Sequence, residues 1–288
     1  MEIGWIGTGI MGAPMARRLI RGGNRVRVFN RSAEKARALA ADGATVVADA
    51  AACVAGAEVV CIMVPDTPDV EATIAKIEAV LKPGQIVIDM STIAPAAERA
   101  ISARLKPKGV EYLDAPVSGG DVGARDGTLA IMVGGDAAAF ARARPLFELM
   151  GKRIMHMGAS GAGQMTKLAN QIAVALALEA AAEAIKFASG GGLDASRVLE
   201  AIGAGAAGSW QLSNLGPKII AGDYRPGFFI KLIRKDLRLV AEAARESGLA
   251  LPGLALMASM FNAAAALGHD LDGTQAVAAA LDRLADVK

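Results

Sequence analysis

Glu2-Ile3-Gly4-Trp5-Ile6-Gly7-Thr8-Gly9-Ile10-Met11-Gly12 is a strand-like run that ends in a GxGxxG turn, and an amphipathic helical stretch, Met11–Arg21, follows at once. The order matters, because this glycine pattern is informative only where a strand feeds it and a helix leaves it. In that setting Gly7 permits the tight turn, Gly9 lets backbone approach a pyrophosphate and Gly12 allows helix and strand to pack closely. The helix N-terminus offers unpaired N–H groups to the phosphates, with Thr8, Ile10 and Met11 completing the loop. A dinucleotide site is expected here.

Further along the chain, short apolar β runs alternate with helical segments, the signature of parallel strands joined by crossover helices. Strands are expected at Glu2–Ile6, Arg25–Phe29, Thr45–Val47, Val59–Val64, Ile86–Asp89, Val110–Asp114 and Leu129–Val133, with a further one near Arg153–His156. Helices are expected at Ala33–Ala41, Val70–Leu81, Ala96–Leu105 and Ala137–Met150. From Gly161 onward no strand pattern remains. The stretch Gln164–Ala188 has no proline and few charges, and at about 1.5 Å per residue it makes a helix close to 40 Å long, enough to link two domains. Helices at Ala195–Ile202, Phe229–Ser247, Leu254–Leu267 and Thr274–Asp286 complete the pattern. The expected fold is an α/β Rossmann-type doubly wound sheet over residues 1–160, followed by an all-α substrate and oligomerisation domain over 161–288.

Composition narrows the chemistry. Lys+Arg 31 against Asp+Glu 29 leaves a formal charge of +2, so no strong field attracts nucleic acid. The 53% hydrophobic content suits a large buried core. Two Cys (Cys53, Cys61) and two His (His156, His269) make neither a disulfide framework nor a good metal site, and no metal is expected. The start MEIGWIG leads straight into a strand, so no targeting segment and a cytoplasmic setting are expected. The uncharged stretch Ser247–His269 is broken by Gly248, Pro252 and Gly253 and reads as a buried helix, with no membrane partner expected.

Cofactor choice turns on the end of the second strand, where NAD-preferring enzymes usually place an acid for the ribose hydroxyls. This chain has Asn30-Arg31-Ser32. Arg31 has the planar fork that suits a 2′-phosphate, and Ser32 and Lys35 can add contacts, which favours NADP(H) over NAD(H). Alternatively Arg31 is a solvated charge and Ser32 caps the next helix.

A nicotinamide enzyme acting on a C–O or C–N bond also needs a proton donor. A Tyr-x-x-x-Lys pair is absent, since Pro116 and Phe228 stand four positions after Tyr112 and Tyr224, and neither His shows an evident carboxylate partner. Lysine is the main candidate left. Lys167 lies in the first turns of the long apolar helix, where dipole and desolvation both disfavour an ammonium. Asn170 and Gln171, three and four positions on, share its face; a solvated lysine at a helix start is the plain alternative. After the strand ending at Asp114, Ser118-Gly119-Gly120 is placed to offer N–H groups to a small carboxylate, or is simply a turn.

Together these stretches resemble the β-hydroxyacid dehydrogenase family, which includes 3-hydroxyisobutyrate dehydrogenases, tartronate semialdehyde reductases and glyoxylate/succinic semialdehyde reductases. The likeness is collinear over essentially the whole chain: GWIGTGIMGAPMARRL, DMSTIAP at Asp89–Pro95, DAPVSGG at Asp114–Gly120, GTLAIMVGG at Gly127–Gly135, GAGQMTKLANQ at Gly161–Gln171 and KDL at Lys235–Leu237. The resemblance implies Lys167 as catalytic acid/base and Ser118, Gly119 and Gly120 as holders of the substrate carboxylate. It also implies Thr92 near the nicotinamide riboside, the loop Val64-Pro65-Asp66 along the cofactor cleft, and Lys235 reaching over the cofactor. Read alone, Lys235 and Asp236 are an exposed helical charge pair. Several relatives carry two asparagines where this chain has Asn170-Gln171, which leaves open which amide touches substrate.

The expected activity is hydride exchange between NADP(H) and a short 3-hydroxy acid or its semialdehyde. Ser209, Trp210, Phe228 and Phe229 are candidates to close over that substrate or to fill core and interface. An imine reductase-like enzyme and a non-catalytic NADP-binding module are the alternatives. The Ala-rich helical half is expected to bury against a second copy, giving a homodimer or homotetramer.

Overall fold

The computed structural model describes residues 1–285. Cα packing divides the chain into two units, Met1–Lys167 and Leu168 onward. The first contains β1 (Glu2–Ile6), α1 (Gly12–Arg21), β2 (Arg25–Phe29), α2 (Ala33–Arg37), β3 (Thr45–Val46), α3 (Ala50–Val54), β4 (Val59–Ile62) and α4 (Thr67–Ile77). It continues through β5 (Ile86–Asp89), α5 (Pro95–Leu105), β6 (Glu111–Asp114), β7 (Val117–Ser118), α6 (Gly120–Asp126), β8 (Leu129–Gly134), α7 (Ala137–Met150) and β9 (Gly151–Gly158).

The strand order β3-β2-β1-β4-β5-β6-β8-β7 is that of a doubly wound sheet, parallel from β3 to β6, with β9 added beside β8. Antiparallel pairing enters only where β8 meets β6 and β7. Because successive side chains point to opposite faces, Ile3, Trp5, Val59, Cys61, Ile86 and Ile88 pack under α1 and α7, and Ile6, Val60, Ile62 and Val87 fill the other face with Val70, Ile74 and Ile101. Burial pushes both cysteine thiols up to about 12, so they serve as small apolar core groups.

Several boundaries differ from expectation for local reasons. α4 starts at Thr67, three residues before Val70, because Asp66 accepts the Thr67 N–H at 2.7 Å and Pro68 suits a helix start. α2 ends at Arg37, and the rest of Ala33–Ala41 becomes a 3₁₀ turn closed by Gly43 at φ 99°. β4 does not run on to Val64: the strand stops at Ile62, and Met63 and Val64 belong to a loop. The short elements α3, β7 and α6 carry too few residues for periodicity to reveal them.

α8 (Ala162–Gly190) begins in the first unit and continues in the second, two residues longer at each end than expected. Then come α9 (Ala195–Gly203), α10 (Trp210–Asn214), α11 (Gly216–Ile220), α12 (Ile230–Glu246), α13 (Pro252–Ala264) and α14 (Val277–Leu284). Ile233, Leu237 and Val240 of α12 and Met257, Phe261 and Ala264 of α13 are buried in this unit. The stretch expected as Leu254–Leu267 starts at Pro252 and leaves the α-helix after Ala264, through a π turn in which Gly268 has φ 100°. A 3₁₀ turn, Thr274–Ala276, precedes α14, and Asp286 lies outside the described residues. No described helix is long and apolar enough to cross a membrane.

Candidate cofactor and substrate site

The glycine loop lies where the sheet order reverses, between β1 and β4. Gly7 has φ 99°, and a Cβ there would stand 2.1 Å from the Met63 carbonyl oxygen, so no other residue fits. A Cβ on Gly12 would stand 2.0 Å from the Gly7 oxygen. Gly9 differs: nothing lies within 4 Å of where its side chain would be. Its bareness serves no neighbour within the protein. The buried Trp5 indole donates to the Gly7 oxygen at 2.8 Å and fixes the turn from below. α1 has neither a side-chain cap nor an acid in its first turn, so its N-terminal N–H groups fit a dinucleotide pyrophosphate. Ile10 stands exposed on the loop, and the buried Thr8 hydroxyl has no bond partner among the described residues.

Asn30 ties this loop to β2. Its Oδ1 accepts the Thr8 N–H at 2.9 Å and its Nδ2 donates to the Ser32 oxygen at 3.0 Å. Beside it lies a cavity of about 300 Å³ lined by Phe29, Asn30, Arg31, Ala33, Arg37 and Val46. Arg31 is 87% exposed and meets Asp69 at 3.5 Å. Ser32 occupies the N-cap position of α2, as its alternative reading has it, although its side chain makes no cap bond. Arg37 is an addition to this lining that the sequence reading missed; the signal for it is a second guanidinium one helical turn into α2.

The next two strand ends are joined by partly buried bonds. Val64 N–H donates to the Ser91 hydroxyl at 3.0 Å, which fixes the loop that carries Pro65 and Asp66. Thr92 follows Ser91, and the Ala94 N–H reaches back to the Thr67 hydroxyl at 3.1 Å. Asp89 and Asp114, the last residues of β5 and β6, are register partners. The Asp114 carboxylate accepts the Gly161 N–H at 2.8 Å and the Gln164 N–H at 3.0 Å, so it caps the start of α8. The Gln164 side chain donates to the Ser91 oxygen at 2.8 Å and to Glu98 Oε1 at 2.6 Å, and accepts from the Ile93 N–H at 3.2 Å. Lys167, one turn further along α8, is 7% exposed, which removes the plain solvated-lysine alternative.

Ser118 ends β7, and Gly119 (φ 130°) and Gly120 (φ 63°) turn the chain into α6. A Cβ on Gly120 would meet nothing within 4 Å, whereas one on Gly119 would press on Leu129. α6 packs against α1, so the two glycine turns open helices that lie side by side.

In the second unit Asn170, Gln171 and Asp236 form one chain of hydrogen bonds, and Lys235 makes an ion pair with Asp236. Asn170 Nδ2 donates to Gln171 Oε1 at 2.8 Å, Gln171 Nε2 donates to Asp236 Oδ2 at 2.5 Å, and Lys235 Nζ meets Asp236 Oδ1 at 2.7 Å. Asp236 is 2% exposed, which corrects the reading of Lys235 and Asp236 as an exposed pair. Its position is legible in the spacing: Asp236 lies three residues after Ile233 and four before Val240, on the buried stripe of α12. A second correction concerns His269, which does have a carboxylate partner, Asp272, at 2.7 Å; His156 meets only the Gly135 oxygen among the described bonds. Ser209 caps α10 and Trp210 is 61% exposed. Phe229 lies under the Lys231 ammonium at 5.2 Å and pairs with Gly273 through backbone.

Residues 2–158 match the family described as the NAD binding domain of 6-phosphogluconate dehydrogenase. Residues 161–280 match the one described as NAD-binding of NADP-dependent 3-hydroxyisobutyrate dehydrogenase. The chain is 43% identical over 292 residues to the 2-hydroxy-3-oxopropionate reductase of Escherichia coli strain K12, covering 100% of this chain and 99% of the other. It is 40% identical over 270 residues to an NAD-dependent L-serine dehydrogenase of Pseudomonas aeruginosa, covering 90% and 91%. Among solved structures, a 3-hydroxyisobutyrate dehydrogenase of Mycobacterium tuberculosis with L-serine superposes with a TM-score of 0.89 at 36% identity, over 98% of both chains.

Proposed function

The chain belongs to the β-hydroxyacid dehydrogenase family and is an oxidoreductase of CH–OH groups, and from that premise we propose reversible hydride exchange between NADP(H) and a short 3-hydroxy acid or its semialdehyde. The substrate class is that of tartronate semialdehyde, 3-hydroxyisobutyrate, glyoxylate or succinic semialdehyde. Bound over the glycine loop, the dinucleotide supplies or accepts the hydride. The protein's own residues do the rest. Ser118, Gly119 and Gly120 hold the carboxylate through hydroxyl and N–H donors. Protonated Lys167 gives a proton to the carbonyl oxygen during reduction and, when neutral, takes the hydroxyl proton during oxidation. Its ammonium also stabilises the negative charge that develops on that oxygen. Asn170 and Gln171 follow on the same helix and supply the amides that orient the substrate.

The observation that carries this reading is the burial of Lys167 one turn into a helix whose start is capped by Asp114. NADP(H) is preferred because Arg31 and Arg37 both line the cavity beyond β2, where a 2′-phosphate would sit. A self-associated enzyme, dimer or tetramer, fits the exposed apolar side chains Phe187, Trp210 and Leu256. Lys167→Ala is expected to lower kcat by about 10²-fold or more with cofactor affinity nearly unchanged, as stopped-flow rates and NADPH titration will read; full turnover by the variant defeats the assignment. A steady-state panel of the four substrates, with NADPH and NADH, tests the rest. Equal or better rates with NADH would refute the role given to Arg31, and turnover of cyclic imines in place of semialdehydes would move the enzyme to imine reduction.

A further inference from the structure

Enclosed by β5, β6, α5 and the first turn of α8 is a polar cluster that the proposed chemistry leaves without a task. Asp89, Glu98, Asp114 and Gln164 have no solvent exposure, and Tyr112 has 3%. Three carboxyls in so dry a place cannot all be charged unless donors or cations answer them. Asp114 is answered by the N–H groups of Gly161 and Gln164. Asp89 Oδ1 accepts the Ser91 N–H at 2.9 Å, and Glu98 Oε1 accepts from Gln164. Their second oxygens, Asp89 Oδ2 and Glu98 Oε2, make no hydrogen bond among the described residues, and neither does the Tyr112 hydroxyl, which lies beside Glu98. The two carboxyls act directly on each other, and the other charged group acting on them is the Asp114 carboxyl. The polar groups facing them are Ser91, Tyr112 and Gln164, all neutral. Among the described residues this cluster is not arranged to hold a metal ion. Two facing groups that can only accept are both satisfied when one of them carries a proton.

We propose that Asp89 and Glu98 hold one proton between them, and that the pair is a positioning element of the hydride-transfer site. It acts through two neighbours. Ser91, whose N–H bonds Asp89, accepts the Val64 N–H on its hydroxyl and so holds the loop over β4. Gln164, held by Glu98, clamps the segment Ser91 to Ile93, with Thr92 at its middle, to the turn of α8 that precedes Lys167. Loss of the proton sets two carboxylates against each other and pushes Glu98 off Gln164. Burial first, and the neighbouring carboxyls after it, raise Glu98 well above the ordinary carboxyl range, and burial raises Asp89 to about 6. Such groups add stability that is full at low pH and is lost as pH rises through their values in the fold.

The positioning role rests on Lys167 as proton donor; the shared proton does not, so the two can fail separately. The test compares parent, Glu98→Gln and Glu98→Ala as full chains, by kcat, KM and melting temperature from about pH 5 to pH 8.5. The amide introduced by Glu98→Gln keeps the acceptor for Gln164 and places an N–H where the shared proton lies. Glu98→Gln is therefore expected to fold, to keep kcat within about twofold of the parent, and to gain melting temperature relative to it as pH rises. Glu98→Ala is expected to lose at least about tenfold in kcat with KM changed less than about threefold, because the Lys167 turn is displaced rather than the substrate contacts removed. If that variant does not fold, Gln164→Ala, which removes the side chain that Glu98 holds, gives the same kcat reading. The shared proton is overturned if Glu98→Gln fails to fold, or if its melting difference from the parent does not change with pH. The positioning role is overturned if Glu98→Gln is as slow as Glu98→Ala, or if the truncation, or Gln164→Ala in its place, leaves kcat intact. A parent inactive on every hydroxy acid and semialdehyde, or full turnover by Lys167→Ala, defeats the Lys167 reading instead, and the melting comparison still decides the proton.

Discussion

Both units bury carboxyls, and they satisfy them in opposite ways. In the first unit Asp89, Glu98 and Asp114 lie among N–H groups, a hydroxyl and an amide. In the second, Asp236 is answered by the Lys235 ammonium and by the Gln171 amide. A carboxylate held by N–H groups fixes backbone, and here it fixes a helix start. One held by a lysine keeps a second charge out of water, and that charge becomes a liability once its partner is gone. The first arrangement is sensitive to pH, and the second to the loss of one side chain.

The strongest way to break this comparison is Asp236→Ala, which takes the carboxylate away from Lys235, whose side chain is 13% exposed, and from the Gln171 amide. It is expected to cost about 3 kcal/mol in urea unfolding. A cost under about 1 kcal/mol would mean that the pair is solvated and the contrast empty. Asp114→Asn is expected to cost less, about 1–3 kcal/mol, because one of the two N–H groups at the start of α8 then meets an amide donor. Hydrogen exchange should quicken at residues 161 and 164 while α8 beyond its first turns is unchanged. The smallest effect sharpens the contrast inside the second unit. Glu179 on α8 is buried, and burial, with Glu183 adding to it, raises its carboxyl to about 7. A carboxyl raised in this way adds stability below its unfolded value and loses it as pH rises through about 7. Glu179→Gln should accordingly melt higher than the parent at pH 8 and no higher at pH 5, and the opposite trend would show Glu179 to be paired.

How much of this is legible in the sequence depends on whether backbone or side chains set the constraint. The β1 turn is legible because Gly7 and Gly12 stand where a Cβ would strike a carbonyl oxygen, a demand that leaves a glycine in the chain. The doubly wound class follows from alternation, though not the strand order or the antiparallel pairs at β8, and α8 follows from its unbroken apolar run. Asp89 and Asp114 appear as strand-end residues inside recognised motifs, but nothing in their spacing says that β5 and β6 bring them side by side. Glu98 and Asp236 escape notice although each lies on a buried stripe, Glu98 with Ile101 and Leu105, Asp236 with Ile233 and Val240. A charged residue on the apolar face of a helix marks a buried network, and a count of charges along the helix hides it. The His269–Asp272 contact is hidden because the turn that makes it follows a π turn whose place no periodicity predicts.

The capping of α8 by Asp114 also bears on the order of folding. Its two bonds span 47 and 50 residues, and the Gln164 bonds to Glu98 and Ser91 span 66 and 73. A helix of this length can form its middle turns from local contacts alone, but its first turn finds its acceptors only after β5 and β6 have paired. Lys167 therefore gains its setting from the completed sheet, and a chain that has made the helix but not the sheet has no organised lysine to offer.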